Sequence, residues 1–83
     1  MLVKLRLMLA DLPEAPRGLL EVELEEGATV QQALEAMHRR HFPDGPARLM
    51  LDAMLIIDKK IVQLDTVLSD KDELMVIRPP EGG

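Results

Sequence analysis

The residues with the clearest potential for chemistry lie at the end of the sequence, where two prolines and a glutamate precede two glycines. An α-carboxylate is ionised at neutral pH and can act as a nucleophile. Glycine has no Cβ, so a diglycine end can pass through a narrow tunnel and bring the carboxylate of Gly83 close to a partner's groups. Prolines stiffen the base of this tail, and residues 79–83 could reach about 16 Å when extended. The candidate tail residues are Arg78, Pro79, Pro80, Glu81, Gly82 and Gly83.

Each tail residue has a predicted role. Gly83 is the reactive end, and Gly82 to Pro79 form the part that enters a partner's tunnel. Arg78 and Glu81 could add polar contacts at the tunnel mouth, although solvated side chains are the simpler interpretation of both.

Other candidates for chemistry are weaker. His38 and His41 are three residues apart, a spacing compatible with two metal ligands, but no third ligand is recognisable nearby. Two histidines in the last turns of a helix are better explained by their favourable interaction with the helix dipole than by a metal. The sequence has no cysteine, no Ser-His-Asp pattern and no glycine-rich phosphate loop. We therefore predict no metal site, no catalytic residue and no autonomous enzyme.

Composition limits the partners and the compartment. The 83 residues suffice for one domain, and a net charge of −5 argues against binding nucleic acid, which requires clustered cations. No apolar run approaches the roughly 20 residues that span a bilayer, so we expect a cytoplasmic protein without a membrane partner. The acids form a solvated face or a surface that attracts basic partner enzymes. They are Glu21, Glu23, Glu25, Glu26, Asp65, Asp70, Asp72 and Glu73.

The first half of the chain predicts two strands and a helix. Apolar residues alternate with charged ones at positions 3–9 and 20–24, which is typical of half-buried strands joined by a turn at 11–18. Thr29 and Gln32 match a capping box, so a helix should begin there and end before Pro43. Residues 44–46 should form a loop.

The second half predicts shorter strands, at Met54–Ile57, at 61–62 after a turn at 58–60, and at 74–77. This order indicates an α+β β-grasp fold, a mixed sheet with one main helix packed across it. Its first and last strands can lie side by side in the sheet centre, so residues 1–78 form the domain and residues 79–83 a flexible tail.

Two of these strands are apolar on both faces, so one face must lie outside the main core. Loops could cover part of it, or it could be a surface that docks partner proteins. The candidate docking residues are Met54, Ile56, Met75 and Ile77.

Several segments together resemble a known family. They are 27–30 at the helix start, 64–68, 70–74 and the ending Pro79-Pro80-Glu81-Gly82-Gly83. These residues resemble the ubiquitin-like sulfur carriers of the MoaD/ThiS-like type, above all the small subunit of molybdopterin synthase. The thiamine-pathway sulfur carrier is a more distant relative.

The resemblance implies a carrier without a permanently bound cofactor. A ubiquitin-activating-type adenylating enzyme would consume ATP to adenylate Gly83, and a sulfur donor would convert the adenylate to a thiocarboxylate. The acceptor would be a larger synthase subunit, most naturally in molybdopterin biosynthesis, or another sulfur acceptor enzyme. A ubiquitin-like protein modifier, or an interaction module without sulfur transfer, remains the alternative.

Overall fold

The computed structural model describes residues 1–10, 18–44 and 52–78. Most of the predicted turn at 11–18, most of the predicted loop at 44–46 and the whole tail at 79–83 lie outside the described residues. The described elements are β1 (Leu2–Leu9), β2 (Leu19–Glu23), α1 (Val30–His41), β3 (Met54–Ile57), β4 (Lys60–Ile61) and β5 (Glu73–Arg78).

The strands form a five-stranded mixed sheet in the order β2-β1-β5-β3-β4. β1 pairs with β5 in parallel and with β2 in antiparallel orientation, and β3 pairs with β5 and β4 in antiparallel orientation. The first and last strands therefore lie side by side in the sheet, as predicted. One helix and a mixed sheet of this order define the β-grasp fold, which confirms the predicted fold class.

The helix begins where the sequence predicts. The Thr29 side chain accepts a hydrogen bond from the Gln32 backbone at 3.4 Å, and the Gln32 side chain accepts one from the Thr29 backbone at 2.8 Å. This reciprocal pair satisfies two of the N–H groups that a helix start leaves unpaired. Phe42 then caps the other end, with its N–H bonded to the His38 carbonyl at 3.0 Å.

The core lies between the helix and one face of the sheet. The strands β1, β2, β3 and β5 each direct every second side chain to this face, and α1 contributes one stripe of side chains. The buried side chains at these positions are apolar. Among the described residues, no polar or charged side chain is buried. The largest fully buried side chains are Leu5, Leu34, Met37, Leu74, Val3, Val22, Val30 and Val76.

Two turns contain non-glycine residues whose backbone lies in the left-handed region. Asp58 and Lys59, with φ of 52° and 67°, form the tight turn between β3 and β4, and Lys71 has φ of 71° in the turn before β5. The predicted turn at 58–60 is therefore shorter by one residue, and β4 occupies Lys60–Ile61 rather than 61–62. Two left-handed residues suffice to reverse the chain, so pairing resumes at Lys60, opposite Ile57.

Candidate functional site

The base of the tail segment is held in the sheet centre. Arg78 is the last residue of β5 and lies opposite Leu9 of β1. Its carbonyl accepts a hydrogen bond from the Ala10 N–H at 3.1 Å, and the preceding residue, Ile77, lies opposite Met54 of β3. Neighbouring strands thus hold the chain on both sides up to Ile77, and β1 also pairs with Arg78. The five residues 79–83, including Gly82 and Gly83, lie outside the described residues, so their predicted roles stay predictions.

The four candidate docking residues lie together on one face of the sheet. Met54 is opposite Ile77, and Ile56 is opposite Met75, while their chain neighbours Leu55, Leu74 and Val76 are buried on the core side. Because side chains alternate along a strand, these four all point away from the helix. We call this side of the sheet the outer face.

The apolar part of the outer face extends beyond the four predicted residues. Met8 of β1 lies opposite Ile77, and Ile61 of β4 lies opposite Ile56. Met8 and Ile61 are 48% and 68% exposed, and Met54 is 49% exposed. Contiguous exposed apolar surface of this kind marks an interaction site more often than a free surface. The alternation in β1 contained this signal, since Met8 shares a face with Lys4 and Arg6.

Charged residues occupy the other half of the outer face, toward the start of β5. Arg6 forms an exposed ion pair with Glu73 at 3.7 Å, and Lys4 lies between Glu21 and Glu73 in the strand register. Such exposed pairs contribute little stability. The outer face is therefore divided, with its apolar half next to the end of β5 from which the tail continues.

Two of the predicted acidic residues are used within the domain. Asp70 accepts a hydrogen bond from the Leu2 N–H at 2.8 Å, and Asp72 accepts one from the Ser69 N–H at 2.8 Å. These carboxylates close the turn that precedes β5 and attach it to the start of β1. They are structural groups, so the acids available to attract a basic partner are mainly those of β2 and the turn that follows it.

The histidines do not come together as a metal site. His41 Nε2 lies 3.2 Å from the carbonyl oxygen of Glu21, a backbone group of β2. Within residues 1–10, 18–44 and 52–78, no three His, Asp or Glu side chains are grouped so that they could hold a metal ion. In the same part of the chain, the helix lacks the length and apolar character needed to cross a membrane.

The fold and the sequence comparisons define the class of the protein. By its fold the chain is a ubiquitin-like β-grasp protein. SAMP1 from Haloferax volcanii, the small archaeal modifier protein 1, has the same fold with a TM-score of 0.83, 22% identity and full coverage of both chains. A Pyrococcus furiosus protein described as molybdopterin converting factor subunit 1 matches with a TM-score of 0.70 and 26% identity, covering 95% of this chain and 98% of that one.

The sequence model of the ThiS family matches residues 8–83, and the chain belongs to this family of ubiquitin-like sulfur carriers. Protein RnfH from Paraburkholderia xenovorans (strain LB400) is 40% identical over 65 residues, which are 76% of this chain and 56% of RnfH. The chain thus spans little more than half of the length of that relative.

Proposed function

We propose that this protein carries sulfur as a thiocarboxylate on Gly83. The observation that carries the proposal is the ThiS family match, which runs through Gly82 and Gly83. The fold supports it, because β5 holds the base of the tail between two strands and leaves only residues 79–83 to enter a partner. A fixed base lowers the entropy that is lost when such a segment enters a tunnel.

The proposed cycle has two steps. The Gly83 carboxylate attacks the α-phosphorus of ATP, forming an acyl-adenylate while pyrophosphate leaves. Hydrosulfide (HS⁻) then attacks the acyl carbon and AMP leaves with its electron pair, which produces the thiocarboxylate and releases one proton. The chain itself holds no resident cofactor in this cycle, and ATP is consumed by a ubiquitin-activating-type adenylating enzyme. Because the cycle consumes ATP, we propose that it runs in the cytoplasm.

The partners are proposed to dock on the apolar half of the outer face. Met54 and Ile56 lie on β3, and Met75 and Ile77 lie on β5, which continues into the tail, so a partner that covers them would receive residues 79–83 at its own active site. We propose molybdopterin biosynthesis as the pathway, with a larger synthase subunit as sulfur acceptor. The likeness to molybdopterin converting factor subunit 1 supports this choice.

Intact-mass spectrometry tests the proposal. The chain is incubated with an adenylating enzyme of the ubiquitin-activating type, ATP and sulfide, and it should gain the mass difference between one sulfur and one oxygen. Omitting ATP is the first control. The Gly83→Ala variant is the second, and it should form little product because its added Cβ obstructs close approach of the backbone. Equal product from this variant would contradict the proposal.

A protein modifier is the second candidate, and the SAMP1 fold match favours it. In that case the activated Gly83 forms an amide with a lysine of another protein. The same incubation with added cell extract separates the two, because a modifier appears covalently attached to larger proteins. If neither product forms, and deleting Gly82 and Gly83 leaves partner binding unchanged, the chain is an interaction module without group transfer.

A further inference from the structure

β2 is an edge strand of the sheet, and some of its backbone groups point away from β1. Met1 and Leu24 exchange two backbone hydrogen bonds, of 2.6 and 2.8 Å. In an antiparallel pair, such hydrogen-bonded positions alternate with positions whose backbone groups point outward. Counting back from Leu24, the N–H and C=O groups of Glu23 and Glu21 therefore point away from β1.

Within residues 1–10, 18–44 and 52–78, little covers this edge. Within the described part of the chain, no group accepts a hydrogen bond from the N–H of Glu21 or Glu23, and only the His41 ring contacts the Glu21 carbonyl. An open strand edge is a template on which another strand can pair. Both glutamate side chains are exposed.

A groove runs beside this edge, between β2 and α1. One end, of about 380 Å³, is lined by Val22, Glu23, Ala36, Arg39 and Arg40. The other end, of about 440 Å³, continues past Glu23 toward the turn after β2. At the 380 Å³ end, the buried Val22 and the half-buried Ala36 lie below Arg39 and Arg40, whereas the 440 Å³ end is acidic because Glu25, Glu26 and Glu35 line it.

The charges on the two sides of the edge select one kind of occupant. An added strand would place alternate side chains beside Glu21 and Glu23 on the outer face, where cations are favoured as cross-strand partners. Its other side chains would face the 380 Å³ end of the groove, where Arg39 and Arg40 disfavour cations and Val22 and Ala36 offer apolar contacts. A second copy of this edge would bring glutamates opposite glutamates, which is unfavourable.

We propose that the edge of β2 binds an extended segment of a partner protein in which basic and aliphatic residues alternate. The segment adds a strand to the sheet, with Lys or Arg beside Glu21 and Glu23 and aliphatic side chains over Val22 and Ala36. This surface lies at the opposite side of the sheet from β3 and β4, and its use does not depend on Gly83.

Amide hydrogen exchange, measured by NMR on the ¹⁵N-labelled chain, tests the proposal directly. The probe is the N-acetylated, C-amidated hexapeptide Lys-Val-Lys-Val-Lys-Val, and the control peptide has Glu in place of Lys. Exchange at Glu21 and Glu23 should slow roughly threefold or more near saturation, because these N–H groups gain acceptors. Exchange at Val22 should not change, since its N–H already pairs with β1.

Two variants of Glu23 separate the backbone bond from the charge. Glu23→Pro removes the outward N–H but no ladder bond to β1, and it should weaken peptide binding about tenfold. Glu23→Gln keeps the N–H and removes the charge, and it should weaken binding roughly two- to fivefold. If Glu23→Pro fails to fold, the exchange pattern of the unaltered chain decides alone.

Three results would overturn the proposal. The first is amide exchange at Glu21 and Glu23 that stays unchanged when the Lys peptide is present in large excess. The second is a set of peptide-induced NMR chemical-shift changes confined to the outer face around Met75. The third is equal binding of the Glu control peptide.

Discussion

Replacing Lys71 by glycine should stabilise the domain. Lys71 has a φ of 71°, and in this conformation its N–H donates to the Leu2 carbonyl at 2.7 Å. The left-handed region costs an L-residue about 1–2 kcal/mol because Cβ crowds the backbone. Glycine removes this strain but adds up to about 1 kcal/mol of unfolded-state entropy. The net gain should be about 0.5–1 kcal/mol, which raises Tm by roughly 2–8 °C in a domain of this size.

Urea and thermal unfolding of the Lys71→Gly and Lys71→Ala variants measure this gain. Alanine removes the same charge and the same long side chain but keeps the Cβ, so it should give no comparable stabilisation. Equal stabilisation by the two variants would assign the effect to lost charge near Asp70 and Asp72 rather than to the backbone. A loss of stability in Lys71→Gly would refute the strain argument itself.

Two further changes test the docking surface and the helix start. Met54→Glu, on the apolar half of the outer face, should change the free energy of unfolding by less than about 0.5 kcal/mol but weaken binding to the adenylating enzyme at least tenfold. The matched control is Val67→Glu, which changes a side chain that is 62% exposed and lies outside the strands. This control should leave binding intact. Thr29→Ala should lower the free energy of unfolding by about 1 kcal/mol in urea titrations. Thr29→Ser should lower it much less, because the serine hydroxyl can still accept the hydrogen bond from the Gln32 N–H. Equal losses in both variants would contradict the capping role.

Much of the fold could be predicted because its signals are local. Alternation in β1 and β2 reflects one buried face, and the helix start depends on Thr29 and Gln32, which are three residues apart. Strand bounds were less accurate at β5, which extends from Glu73 to Arg78 rather than over 74–77. Backbone pairing with β1 includes these two charged ends whatever their side chains, so hydropathy alone stops short of them.

The features that were not predicted depend on contacts between distant parts of the chain. Asp70 bonds to the backbone of Leu2, 68 positions away, so the acidic run at 70–73 resembled a purely solvated face in the sequence. The open edge of β2 was also hidden, because it follows from the order of the strands in the folded sheet. Consecutive turn-forming residues at Ser69 and Asp70 were the available signal for the first feature.

The position of β5 has a mechanical consequence for any partner of the tail. Moving residue 78 away from the sheet would require breaking its pairing with β1 at Leu9 and that of Ile77 with β3 at Met54, a cooperative loss rather than local fraying. A partner must therefore bring its active site within about 16 Å of Arg78, the extended reach of the tail. The edge of β2 lies two strands away, at about 10 Å in the plane of the sheet. A partner large enough to receive Gly83 could thus also cover that edge. The two contacts are nevertheless independent, since a variant can lose binding at the edge of β2 and keep transfer at Gly83, or the reverse.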